Sequence, residues 1–219
     1  MNIQKHTVKS FDEDLEAVAQ HLATMASKVR HGYGQAITAL MTHDVAMAEE
    51  FIVQHKSLDD LQLEVEKLCF SMLALRQPVA IDLRNIVTAI KISSLLERIG
   101  DDIKNICRRV RRMKDTPKVD LHTCMHSLAE SGQDALDKLE ALINSRSVED
   151  AEKLYAFDDV IDDHYMHMYG DIIDAMRTSN KTVPEVMHVL FAAKSIERLG
   201  DNCGDIARQV YYQNTGEKL

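Results

Sequence analysis

The sequence predicts an all-α protein, built as two tandem three-helix bundles of six long antiparallel helices. Three observations carry that prediction. Apolar residues recur at three- and four-residue intervals along most of the 219 residues, and the alternation of half-buried strands is scarcely visible. Only 3 Pro and 8 Gly are present, too few for a loop-rich β fold. The segment Glu97–Ile106, ERIGDDIKNI, returns one hundred positions later as Glu197–Ile206, ERLGDNCGDI.

The first helix is expected from about Val8 to Met41, with Val18, Leu22, Met25, Val29, Ile37 and Leu40 on its apolar stripe and Gly32 and Gly34 as a place to bend. Asp44 is a suitable N-cap for a second helix that reaches about Arg76. Pro78 opens the third, where its missing N–H does no harm, and that helix runs to about Met113. Its last turn carries Arg108, Arg109, Arg111 and Arg112 at the negative end of the helix dipole, which is a favourable helix ending and not a nucleic-acid patch. Asp115–Asp120, DTPKVD, is the expected linker, dividing a first bundle over 1–115 from a second over 116–219. Three further helices follow at about Leu121–Asn144, Val148–Arg177 and Val183–Tyr212. Ser147 with Asp150 forms a near capping box, and Thr178–Pro184 separates the last two.

The repeat resolves into two stripes. Leu96, Ile99, Ile103, Ile106 and Val110 are spaced 3-4-3-4 and form a buried seam; Ile196, Leu199, Cys203, Ile206 and Val210 repeat it. Turned about 100° from that seam, Glu97, Asp101 and Asn105 lie at i, i+4 and i+8 on one face, at the rim of the packed surface. Glu197, Asp201 and Asp205 match them. Like charges at i, i+4 destabilise a helix by about 0.2–0.5 kcal/mol per pair, so something must offset them, and Arg98, Arg198 or a cation are the candidates. Gly100 and Gly200 each cost roughly 1 kcal/mol against Ala in a helix interior. That cost at two equivalent places implies close approach of a neighbouring backbone or a ligand.

Composition narrows the function. A formal net charge of −9 disfavours direct nucleic-acid binding, which requires a cationic face. The residues to Asp115 hold 16 basic and 16 acidic side chains and the remainder 10 and 19, so the whole excess lies in the second half, where it suits cation binding. No apolar run reaches the roughly 18 residues of a membrane span, and the N-terminus lacks a signal-peptide core. Cys69, Cys107, Cys124 and Cys203 are scattered and read as reduced thiols, so a cytoplasmic location is expected. The second helix of each half can complete a metal site. His55 and Asp59 would join Glu97, Asp101 and Asn105; Asp158 and Asp162 would join Glu197, Asp201 and Asp205. Such oxygen-rich donor sets suit Mg, Mn, Fe or Zn.

With those residues in view, the chain resembles the PhoU family of phosphate-transport regulators over essentially its whole length. The resemblance rests on the two Glu-Arg-(Ile/Leu)-Gly-Asp motifs, on Arg76-Gln77-Pro78 upstream of the first, and on the carboxylates of the second and fifth helices. It implies one metal ion or small cluster on each bundle. It also implies a negative regulator of phosphate-starvation signalling that links the ATPase subunit of a phosphate ABC transporter to a phosphate-sensing histidine kinase. Such a protein is not an enzyme and lies at the membrane only through its partners; dimers and larger assemblies occur in the family. Two positions depart from the family pattern: His55 stands where Asp is usual and Asp205 where Asn is usual. The second site is therefore expected to bind metal more firmly, and the first to be emptier or to lean toward zinc or iron. The alternatives are a carboxylate-bridged metalloenzyme and a metal-free scaffold. The first is poorly supported, because Glu185-x-x-His188 is the one Glu-x-x-His motif among the helices.

Overall fold

The computed structural model describes residues 3–76, 78–114, 122–178 and 183–219. Among them the helices are α1 (Ile3–Thr42), α2 (Val45–Gln54), α3 (Lys56–Arg76), α4 (Ile81–Arg112), α5 (His122–Ser145), α6 (Val148–Ala156), α7 (Asp158–Thr178) and α8 (Val183–Thr215). The six expected rods are all present. Two of them are interrupted by a single tightened turn, where Leu58 N–H donates to His55 O at 2.8 Å and Val160 N–H donates to Phe157 O at 3.1 Å. Periodicity does not reveal these breaks, because His55 and Phe157 keep right-handed helical dihedrals and the apolar stripe runs on through them.

Local signals set most boundaries. Asp44 accepts from Met47 N–H at 3.0 Å and Ser147 Oγ from Asp150 N–H at 3.3 Å, each satisfying a donor of a first helical turn. Pro78 is not the first residue of its helix. α4 begins at Ile81, after Ala80 at φ 44°, and a residue in that left-handed region cannot continue a right-handed helix. The expectation of a bend at Gly32–Gly34 also fails: α1 is continuous there, and Gly32 instead leaves room for the Phe51 ring against the backbone. The expected linker Asp115–Asp120 and most of Thr178–Pro184 lie outside the described residues.

α4 packs on α8 more extensively than any other pair of helices. Asn85 meets Gln213 at one end, Asp102 meets Asn202 in the middle, and Arg109 stacks 4.4 Å over the Phe191 ring at the other, so the two run antiparallel. α1 and α5 pack beside them, and Tyr33 Oη donates to Ala129 O at 3.0 Å between these helices. Both seams of the repeat are buried, every member at 2% exposure or less, inside one continuous core. α2 and α3 flank α1 and α4, while α6 and α7 flank α5 and α8. Each copy of the repeat thus faces its own outer rod along one edge.

Candidate metal centre

In the first half, the break at His55 brings the imidazole beside Gly100, and the missing side chain is what admits it. A Cβ on Gly100 would stand 2.6 Å from Leu58 Cδ1 and 3.2 Å from His55 Nε2. In the second half a Cβ on Gly200 would stand 2.8 Å from Ile161 Cδ1 and 3.0 Å from Asp158 Oδ1. The close approach anticipated at both glycines exists, made by side chains of the neighbouring rod and not by its backbone.

His55, Glu97 and Asp101 converge, with one donor atom from each lying within 4.8 Å of the others. His55 is 2% exposed; its Nε2 lies 3.3 Å from Asp101 Oδ1 without hydrogen-bond alignment, and its Nδ1 lies 3.6 Å from Asp59 Oδ1. Burial, aided by Lys104, lowers the imidazole pKa and keeps the ring neutral, as a metal ligand must be. Burial and then Asp101 raise the Glu97 pKa, the signature of a carboxylate short of compensating charge. Lys104 Nζ fills part of that need, 3.1 Å from Asp101 Oδ1 and 3.3 Å from His55 Nδ1. Asn105 Oδ1 accepts from Arg108 Nη1 at 3.0 Å.

The second site is more acidic and less convergent; among the described residues no three of its carboxylates meet as closely as the first set. Burial, then Asp201 and Asp162, push Asp158 up to about 6. Asp162 is raised by burial and then by Asp201. Asp158 Oδ1 and Glu197 Oε2 are buried without a hydrogen-bond partner. Lys194 pairs with the other oxygen of Glu197, and Arg208 pairs with Asp205 while stacking 4.8 Å over the Tyr155 ring. The cations that pair directly along the two rims are Lys104, Arg108, Lys194 and Arg208, each at i+3 or i−3 from its partner.

Arg98 does a small part of this, its charge lowering the Glu97 pKa against burial and Asp101, whereas Arg198 does not serve the purpose expected from sequence. Arg198 turns the other way, to Asp102 Oδ1 at 3.5 Å, across the α4–α8 interface. Asp102 is 1% exposed and accepts from Asn202 Nδ2 at 3.1 Å. Burial outweighs Arg198 and holds its pKa up to about 6. Asp102 and Asn202 occupy the same place in the two copies of the repeat, so one locus meets itself where the bundles join. The sequence signal was available: a second acid directly after the motif Asp, matched by an amide one hundred residues on.

These features define a class: a duplicated three-helix bundle with an acidic donor set of the metal-site type at the edge of each half. A family model for the PhoU domain matches residues 22–110 and 125–210, one match per half. The phosphate-specific transport system accessory protein PhoU homolog of Caulobacter vibrioides is 31% identical over 218 residues, covering 98% of this chain and 94% of that protein. The homolog from Rhizobium meliloti is 32% identical, covering 96% and 90%. A crystal structure of PhoU from Pseudomonas aeruginosa superposes with a TM-score of 0.90 at 24% identity, covering 94% of this chain and all of that one. The PhoU phosphate transport system regulatory protein from Streptococcus pneumoniae gives 0.88 at 25% identity, covering 95% and 99%. The chain belongs to the PhoU family. Among the described residues, no helix is long and apolar enough to cross a membrane.

Proposed function

We propose that this chain is a metal-binding accessory protein of a phosphate-specific transport system and a negative regulator of phosphate uptake and phosphate-starvation signalling. The reading holds that it bridges the ATPase subunit of a phosphate ABC transporter and a phosphate-sensing histidine kinase on the cytoplasmic face. It catalyses nothing itself. The names of the relatives support the transport-system association. The metal-binding part is carried by a single observation: one donor atom each of His55, Glu97 and Asp101 lies within 4.8 Å of the others.

His55, Asp59, Glu97, Asp101 and Asn105 would hold the first metal, and Asp158, Asp162, Glu197, Asp201 and Asp205 the second. Iron, zinc, manganese and magnesium are the candidates, with the imidazole favouring iron or zinc at the first site. The second site gains more from a cation, because the raised Asp158 and Asp162 pKa values mark negative charge that Lys194 and Arg208 leave uncompensated. A bound metal there would neutralise that repulsion and fix the α6–α7 rod against α8. The halves 1–115 and 116–219 then act as two metal-loaded units.

A metal-free scaffold is the second reading. It is favoured by the ion pairs that Lys104, Lys194 and Arg208 already make along the rims. Affinity capture of the tagged chain from phosphate-replete cells, with elemental analysis of the same sample, separates the two. The first reading expects bound metal together with the transporter ATPase and the kinase, and loss of both partners in Asp101→Ala/Asp201→Ala. Recovery of both partners by a metal-free chain favours the scaffold, and recovery of neither overturns the adaptor role.

A further inference from the structure

The stretch from the end of α3 into the first turns of α4 holds the densest run of exposed apolar side chains among the described residues. Leu75, Val79 and Ile81 are each at least 65% exposed, and Leu83 and Val87 are exposed as well. α4 starts only after Ala80 at φ 44°, and Val79 and Ile81 stand on either side of that turn, outside the packing of the helices. A contiguous apolar surface of this kind marks a contact site. Along α4 the same face continues with charge. Leu83, Val87, Lys91 and Arg98 are all exposed and fall within about 80° of rotation about the helix axis. Neither Lys91 nor Arg98 makes an ion pair among the described residues, unlike Lys104 and Lys194 on the rims. The one acid between Leu83 and Arg98 is Glu97, which is turned to the metal rim.

The second copy of the repeat provides an internal comparison. Val183 and Met187, one hundred positions after Leu83 and Val87, are half-buried. Phe191, at the place of Lys91, carries the Arg109 guanidinium at 4.4 Å, and Arg198, at the place of Arg98, reaches Asp102. The second copy engages these positions within the chain, and the first leaves them open. The open strip is one helix wide and about 22 Å long, with two apolar residues one turn apart and then two cations about 10 Å apart. Its charge decides the occupant. In a two-fold dimer the strip would face itself, with no acid on it to meet Lys91 and Arg98. A flat anionic bilayer would meet the acids Glu97 and Asp101 alongside. We propose that this face of α4, together with the α3–α4 turn, docks an amphipathic helix of a partner protein. The apolar residues of that helix would cover Ile81, Leu83 and Val87, and its Asp or Glu side chains, two turns apart, would pair with Lys91 and Arg98. The inference rests on the adaptor reading only in requiring a protein partner, and it does not depend on metal at either rim.

The test is photo-crosslinking in cells from a benzophenone side chain installed at Val87 of the full tagged chain, with the crosslinked peptide sequenced by mass spectrometry. Expected is a helical segment of another protein that carries apolar residues and two acids about seven positions apart. Adding Lys91→Glu should lower the crosslink yield at least tenfold, and Lys in place of one of those partner acids should restore it. Lys91 is the position reversed because Arg98 also bears on Glu97. Circular dichroism and metal content check that the fold and the rims are unchanged. Absence of a crosslink, a crosslink to a second copy of this chain or to lipid, a segment without acids, or a yield indifferent to Lys91→Glu overturns the proposal. An acidic helix from a protein other than the transporter ATPase or the kinase upholds the docking surface and counts against the adaptor reading. Capture of both partners by a chain that gives no crosslink from Val87 upholds the adaptor reading and overturns the docking surface.

Discussion

Replacing Gly100 with Ala sets two effects of known size against each other. In an unhindered helix interior, Gly→Ala stabilises by roughly 1 kcal/mol, because Ala loses less backbone entropy on folding. At Gly100 the added Cβ falls 2.6 Å from Leu58 Cδ1 and 3.2 Å from His55 Nε2. Leu58 is 1% exposed and His55 2%, so neither can swing into solvent, and overpacking of this kind costs about 1–3 kcal/mol. The net expectation for Gly100→Ala runs from no change to about 2 kcal/mol of lost stability. Gly170 supplies the internal control: it lies in helix α7 with nothing within 4 Å of its would-be Cβ, and Gly170→Ala should stabilise by about 1 kcal/mol. Urea denaturation monitored by circular dichroism, with the three proteins compared at equal slope, reads the difference directly. Gly100→Ala at least as stabilising as Gly170→Ala would refute the claim that Gly100 exists to admit the neighbouring rod.

Other expectations follow the same physics. Asp158 has a folded-state pKa raised to about 6, so the stability linked to it is complete below its unfolded value, near 4, and is lost as pH rises through 6. Metal-free Asp158→Asn should therefore exceed the wild type by about 1–2 kcal/mol at pH 7.5, after allowance for solvent screening, and match it at pH 4 in parallel urea titrations. Asn202→Ala removes the donor at 3.1 Å from buried Asp102 and should cost about 1–3 kcal/mol, whereas Asp102→Asn, which replaces a poorly compensated buried charge with an amide, should cost less. In competitive metal titrations His55→Asp should tighten the first site, and Asp205→Asn should loosen the second; equal affinities of both sites in all forms would contradict the proposed divergence. Lys194→Met should tighten metal binding at the second site by freeing Glu197 from its ion pair, which the same titration reads.

Much of the fold could be read from spacing because long helices advertise themselves. The two seams, from Leu96 to Val110 and from Ile196 to Val210, repeat at helical intervals over enough turns that burial was the one consistent reading, and all ten side chains are buried. The breaks at His55 and Phe157 were not legible, since one tightened turn barely shifts the apolar stripe on either side. Pro78 misled because proline suits a first helical turn, yet here the chain passes through the left-handed region at Ala80 before the helix starts. At the candidate site, the glycines and the i, i+4 acids were visible because each violates a local preference of helices. The identity of the compensating cations was not. Arg98 bears on Glu97 only as a nearby charge and Arg198 turns to Asp102, because i+1 neighbours on a helix do not face each other, whereas Lys104, Lys194 and Arg208 at i±3 face their partners. The sequence marks Asp102 and Asn202 as an acid and an amide at matched positions of the repeat, but their meeting depends on how the two bundles dock.

The duplicated acidic rims are proposed as metal centres, and metal stoichiometry decides whether they are. The chain purified without affinity metals would be compared, by elemental analysis, with Glu97→Gln/Asp101→Asn and with Glu197→Gln/Asp201→Asn. Bound transition or alkaline-earth metal in the wild type is predicted, with each double substitution removing the share of its own half and leaving the other. A folded wild-type chain that takes up no metal, or variants that keep the full load, would contradict it.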